Sequence, residues 1–471
     1  MDEELADSRP NAPQPEDTPR PKVVEIDVSK KLGDVRVVLR GLSRIHNSTL
    51  YPDLKNIRNA TTVKELFMLL EDAHERLDKL DLFKSVVSNI RRGKRPGDVD
   101  VVFELEEKRP SYSVGVTANQ KSEANFELTG EVPGVLGSCN SLSLQLRKSG
   151  YGSQKLSGSC FMPRNIGLAK FTSLIQLFTS QNDFTNYSSY SMSTQGISFI
   201  LSDIKRRHQA IWEASINDLY PSFNDHRRAS ETVLRHAGRS LKNSVSYQYT
   251  IDELKGETIP HTGHCTQMKF EAGLPGGDRQ FLKIDYNTFF ASVLRQRLIL
   301  HMNISMGYMK HLGTLRKNSN LLDRFHFTGS GGAGSAFRGF GYRGIGPCDY
   351  SSIFDKETQE WKRVPEHTGG DCYGNIQLAF HCPIEYKQYK LPLAFCFLNV
   401  GSLTSIEERK NRETIYGHAL RQLRMSVGAG FSMGISPGCW MEAFVAQPLL
   451  YSPTDTINRL QMGIRFKHNM S

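Results

Sequence analysis

From Pro110 onward the chain alternates apolar and polar side chains, in segments closed by Gly, Pro, Asn, Asp or Ser. In "RLILHMNISMGYM" (297–309), Leu298, Leu300, Met302, Ile304, Met306 and Tyr308 share one face, and His301, Asn303, Ser305 and Gly307 the other. "SLSLQLR" (141–147), "FLKIDYN" (281–287) and "QMGIRF" (461–466) repeat the pattern. A period of two is that of a β-strand, so this region is mainly β. A soluble sandwich has the same period, and the polar face decides between the two. It carries Lys, Asp, His, Arg and Gly rather than a uniform solubilising coat. The segments also run about ten residues or more, the length a tilted strand needs to cross a bilayer, whereas globular strands average about 5–6. Counting turns gives about sixteen strands, an even number, as in single-chain outer-membrane barrels. The expected fold is a transmembrane antiparallel β-barrel over residues 110–468.

No run approaches the roughly 18 apolar residues of a spanning helix; the richest, "LPLAFCFLNVG" (391–401), falls well short. A mean hydropathy of −0.42 suits barrel strands, whose polar and apolar positions cancel. Residues 1–108 hold 19 Lys+Arg against 21 Asp+Glu, so the net charge of +10 belongs to the remainder. That basic balance fits anionic partners or a polar lumen and loops equally well. The eight cysteines show no C-x-x-C and no paired spacing, which argues against a metal site or a disulfide framework. No G-x-S-x-G, H-E-x-x-H or P-loop occurs, so no enzyme and no cofactor is expected.

The start, "MDEELADSRPNAPQPEDTPRPK", is acidic and proline-rich with no apolar core. Residues 1–32 read as a disordered arm without a cleaved N-terminal address. Residues 33–108 read as a small α/β domain of order β-α-α-β-β. Its strands are expected at 35–44, 84–93 and 98–108, with a short helix at 49–60 and an amphipathic one at 61–83. Thr62 and Glu65 form a capping box for the second helix. This unit, with its "LDLF" step at Leu80–Phe83, resembles a POTRA domain. A client-binding module and a folded spacer are both compatible with it.

One long interval, about 311–371, interrupts the strands, and its glycine-dense part reads "GSGGAGSAFRGFGYRGIGP" (329–347). Gly329, Gly331 and Gly334 match G-x-G-x-x-G, but the glycines that follow leave no helix to receive a pyrophosphate. Arg338–Tyr342 copies half of an RNA-recognition sequence, yet Arg343 and Ile345 break it and no surrounding frame supports it. Neither dinucleotide nor nucleic acid is therefore expected. The third reading is a self-contact: Phe337, Arg338, Gly339 and Phe340 form a tip folded back into the lumen, where a guanidinium needs acceptors close by.

"DRFHFTGSGGAGSAFRGF" (323–340) resembles the sixth-loop region of the BamA-type outer-membrane barrel superfamily, and most closely the core barrel of the mitochondrial sorting and assembly machinery (SAM). "EVPGVLG" (131–137), "TGGDCYGNIQLAFHCPI" (368–384), "FLNVGSL" (397–403), "VGAGF" (427–431) and "GIRF" (463–466) resemble further family segments in the same order. The resemblance implies an insertase for β-barrel precursors in the mitochondrial outer membrane, with the front domain in the intermembrane space. Implied partners are precursors, the lipid bilayer, accessory SAM subunits and inner-membrane contact-site proteins. It implies a lateral seam between the first and last strands, involving Ser111, Tyr112, Val114, Val116, Gly463, Ile464 and Phe466, with Gly463 weakening side-chain packing there. Asp371 and Asn399 are the expected acceptors for Arg338, with Phe337 and Phe340 shielding the contact. A passive pore or translocation channel of the same architecture is the alternative.

Overall fold

The computed structural model describes residues 31–466 except 119–123, 150–151, 165–170, 186, 225–226, 257–258, 296–297, 313–318, 329–335, 387–388, 407–414 and 437–438. Nearly all of the acidic arm, and Gly329, Gly331 and Gly334, lie outside the described residues. The chain divides into two compact units, Met1–Glu107 and Lys108–Ser471.

The first unit runs β1 (Val35–Arg40), α1 (Asn47–Leu54), a 3₁₀ turn (Lys55–Asn59), α2 (Val63–Lys79), β2 (Phe83–Arg92) and β3 (Val99–Glu107). Its sheet has the order β1-β3-β2, with β1 parallel and β2 antiparallel to β3. Leu66, Leu70, Ala73 and Leu77 recur at three- and four-residue steps and are the buried stripe of α2. Thr62 Oγ1 accepts from the Glu65 N–H at 3.3 Å, but Glu65 returns its carboxylate to the Thr61 N–H at 2.9 Å, one residue before the expected partner. The short helix stops early, at Leu54, and tightens into the 3₁₀ turn.

Glu107 ties the end of β3 to the chain after β1. Its carboxylate accepts from the N–H groups of Ser43, Arg44 and Ile45, each at 3.0 Å, and from the Ser43 hydroxyl at 2.8 Å. Burial alone would raise this carboxyl, but the hydrogen bonds to its charged form outweigh that and hold it below the ordinary range. A depressed carboxylate stabilises above its unfolded pKa, and the contribution is lost as pH falls through the folded one. Amide exchange in residues 35–107 should therefore accelerate below about pH 4.5 relative to intrinsic rates. Glu107→Gln should remove that pH dependence; an unchanged profile would contradict the assignment.

The second unit is a sixteen-stranded antiparallel sheet whose order runs from Leu460–Phe466 to Ser111–Ala118. Successive barrel strands pair with their neighbours, and the pattern of burial is inverted relative to a soluble protein. Leu142, Leu144, Leu282, Ile284, Met306 and Val445 are exposed on the outside, while Ser157, Ser215, Asn287, His301, Asn303 and Ser305 are buried facing in. A water-soluble sandwich cannot leave that outer face bare, but a bilayer covers it. Because the strand number is even, the start of the first strand (Ser111) and the end of the last (Phe466) lie at one rim, here the terminal mouth, and the 312–371 loop leaves from the opposite rim.

That loop contains an unforeseen hairpin, Cys348–Asp355 with Glu360–His367, which joins Arg227–Arg228 in a separate four-stranded sheet. Its strands are short, and Ser352 and Arg363 interrupt the face that carries Tyr350, Phe354 and Trp361, so they lack the sustained alternation that marks the barrel strands.

Candidate functional site: a loop tip held beside the last strands

The loop is anchored first at its base. Arg279 Nη1 lies 3.0 Å from Asp323 Oδ1, both side chains being buried. Lys283 Nζ donates to the Asp323 carbonyl at 2.7 Å and stands 4.3 Å from the Phe325 ring centroid. Phe325 and Gly370 exchange backbone hydrogen bonds of 2.9 and 3.0 Å, clipping the two ends of the loop together. From this clip the chain descends into the lumen. Phe325, Phe327, Phe337, Phe340 and Tyr373 then form an aromatic core with Leu403 and Ile345.

The tip lies deeper. Arg338 Nη2 donates to Glu442 Oε2 at 2.8 Å, with only 3% and 2% of the two side chains exposed. Trp440 Nε1 donates to the other oxygen of Glu442 at 3.1 Å. The rings of Phe395, Phe397 and Phe444 surround the guanidinium, with centroids 5.5, 5.1 and 5.6 Å from Cζ. This is an ion pair in an aromatic box, where a charge-assisted hydrogen bond and cation–π attraction act with little solvent screening. The wall needs glycine to form. A Cβ on Gly428 would fall 2.2 Å from the Val445 carbonyl oxygen and 2.5 Å from the Phe397 ring.

Polar wall groups take up the backbone of the tip. Asn375 Nδ2 donates to the Ala336 carbonyl at 3.0 Å, and Gln377 Nε2 donates to the same oxygen. Ser426 Oγ donates to the Arg338 carbonyl at 2.6 Å, and the Asn399 amide oxygen accepts from the Arg338 N–H at 2.8 Å. Gln461 makes a two-point contact: its Oε1 accepts from the Gly339 N–H at 2.9 Å and its Nε2 donates to the Phe340 carbonyl at 2.8 Å. Gly339 has φ +93°, a left-handed conformation that L side chains rarely adopt, and a Cβ there would press on Ser426 and Ala446.

Below the tip, the turn between strands Gly238–Asp252 and Gly263–Gly273 enters the lumen from the terminal mouth. Leu254 and Ile259 pack with Phe289, Cys265 and Trp440, and His301 Nε2 donates to the Pro260 carbonyl at 2.6 Å. Between tip and turn, among Phe289, His301, Gln377, Trp440 and Glu442, remains a cavity of about 10 Å³. That is room for one water at most.

The end strands of the sheet are Ser111–Ala118 and Leu460–Phe466, of 8 and 7 described residues. Ser111, Tyr112 and Val114 pair with Glu131, Gly130 and Leu128, and the two apolar side chains of the three point outward. Gly463 pairs with Glu442 and is buried on the lumen side. Val116, Ile464 and Phe466 hold ladder positions opposite Phe126, Met441 and Cys439.

Residues 135–466 match the Omp85 superfamily domain, which is well over half of the chain. The chain belongs to the Omp85 superfamily. Component 50 homolog A of the sorting and assembly machinery from Xenopus laevis is 24% identical over 461 residues, 94% of this chain and 93% of the relative. The human component 50 homolog is 24% identical over 439 residues, 90% and 87% of the two chains. In fold, the Omp85 chain is similar to BamA from Haemophilus ducreyi lacking POTRA domains 1–3, with a TM-score of 0.74 and 17% identity over 91% of this chain and 83% of that one.

Against this Omp85 frame, the tip differs from the sequence expectation in two ways. Asp371 does not meet Arg338. It sits at the loop mouth, where its Oδ2 accepts from the Ser405 hydroxyl at 3.2 Å and the Ile406 N–H at 3.3 Å. The tip reaches the level of Asn375 and Gln377, four to six residues further along that strand, or about 13–20 Å at 3.3 Å per residue. Asn399 does touch Arg338, but at its backbone. Phe337 and Phe340 turn away from the guanidinium into the aromatic core, and wall rings shield the pair instead. Glu442 was not anticipated. Its signal was available, because in "CWMEAFVAQPLL" it opposes Met441, Ala443 and Val445, and it is the one acid within the last three strands.

Proposed function

We propose that this chain folds and inserts β-barrel precursors into the mitochondrial outer membrane through a lateral seam between Ser111–Ala118 and Leu460–Phe466. The insertase activity and the membrane rest on family membership and on relatives matched over nearly their whole length. The seam is the mechanistic part of the proposal. Its main support is that, among the described residues, each end strand is hydrogen-bonded on one side only, Ser111–Ala118 to Ala124–Val132 and Leu460–Phe466 to Cys439–Leu450. An unpaired backbone group in lipid costs several kcal/mol, so a seam at these two edges breaks fewer backbone hydrogen bonds than opening an interior ladder. A precursor strand that pairs with the freed edge satisfies those groups as it enters the bilayer. No covalent step is involved, and the chain acts as an insertase rather than an enzyme.

Precursors and accessory subunits are the partners, and SAM accessory subunits and inner-membrane contact-site proteins are proposed among them. Residues 33–108 are assigned to the intermembrane space as a client-facing, POTRA-like module. The loop tip docked inside the lumen, with Arg338 buried against Glu442, favours insertion over a passive pore. Purified chain in liposomes should convert an unfolded barrel precursor to a protease-resistant form faster than empty vesicles do, with low resting conductance. Steady open-pore conductance without faster conversion would favour the pore.

A further inference from the structure

We propose that Gln461 is a positioning residue that braces the last strand against the loop tip, so that undocking the tip and releasing the strand are one event. This inference rests on the seam reading above. The observation is that the tip does more than fill the lumen: it forms a short antiparallel pairing with the chain entering the last strand. Gly341 N–H donates to the Thr456 carbonyl at 2.8 Å, Thr456 N–H to the Gly344 carbonyl at 2.9 Å, and Asn458 N–H to the Gly339 carbonyl at 3.1 Å. Phe340 and Ile457 form the bridge between them. The ladder to Cys439–Leu450 runs from Leu460 to Phe466. The tip therefore holds the part of the chain just before that ladder begins.

Gln461 closes the arrangement. It is the second residue of the strand, 6% exposed, and its carboxamide accepts from one tip residue, Gly339, and donates to the next, Phe340. Such two-point contacts are directional, and each buried partner left unmade is penalised. Pulling Leu460–Phe466 outward must break both bonds and leave the Gly339 N–H and Phe340 carbonyl unpaired. Conversely, losing the Arg338–Glu442 anchor frees the tip that holds Gln461. Coupling of this kind is reciprocal.

The test is amide hydrogen exchange on the full chain in lipid nanodiscs, comparing wild type with Arg338→Ala and Gln461→Glu. The first substitution lies on the loop and leaves every last-strand residue in place. The second keeps the acceptor and removes the donor to Phe340. Arg338→Ala should speed exchange at least tenfold in 460–466, and Gln461→Glu should do the same in the loop around 336–345. The ladder of Phe171–Asp183 with Tyr190–Asp203 should stay unchanged as the internal reference. If each variant loosens only its own element, the brace is refuted. Should Arg338→Ala fail to assemble, Gln461→Glu decides alone, because an unchanged loop refutes the brace. Precursor insertion with the end strands joined by a disulfide separates this inference from the one beneath it. If joining them blocks insertion while exchange shows no coupling, only the brace falls; if joining them has no effect, the seam falls as well.

Discussion

Replacing Arg338 with alanine should destabilise the docked loop by roughly 3–5 kcal/mol, because it leaves the Glu442 carboxylate buried without its cation. The Trp440 indole at 3.1 Å is a neutral donor to Glu442, and the three phenylalanine rings around the site cannot replace a cation. The loop should then become open to protease at sites in 311–371, and the folded barrel should melt at lower temperature. Arg338→Lys should recover part of the loss, since an ammonium keeps the charge but not the planar fork. Joint replacement by Arg338→Met and Glu442→Leu should cost less than either single change, because apolar groups of similar volume often substitute for a buried pair. A double-mutant cycle in which the two sites simply add would show that they are not coupled.

The barrel was legible because its chemistry repeats every second residue over long segments, as at Leu298–Tyr308 and Leu142–Leu146. The front unit was legible because Leu66, Leu70, Ala73 and Leu77 mark one helix face. What sequence alone could not supply was depth within the lumen. Asp371 and Asn399 stood out as polar residues beside glycines, but choosing between them and Glu442 requires knowing how far the tip descends. That distance depends on the register of strands more than sixty residues apart. The Gln461 contact was hidden for a related reason: a glutamine on a lumen face has many possible partners, and the tip's backbone is only one. The loop hairpin at 348–367 has Tyr350, Phe354 and Trp361 on one face, but Ser352 and Arg363 break that stripe before it can read as a strand pair.

If the end strands part to admit a client, a covalent lock across them should stop insertion. Cysteines placed in pairs across Ser111–Ala118 and Leu460–Phe466, in a chain whose eight native cysteines are replaced, would be oxidised and given a barrel precursor in lipid vesicles. Disulfide formation should nearly abolish insertion, and reduction should restore it in the same preparation. Pairs placed instead between Phe171–Asp183 and Tyr190–Asp203, which are already joined by a long ladder, should have no effect. Insertion at the reduced rate while the end strands are fully locked would contradict the seam.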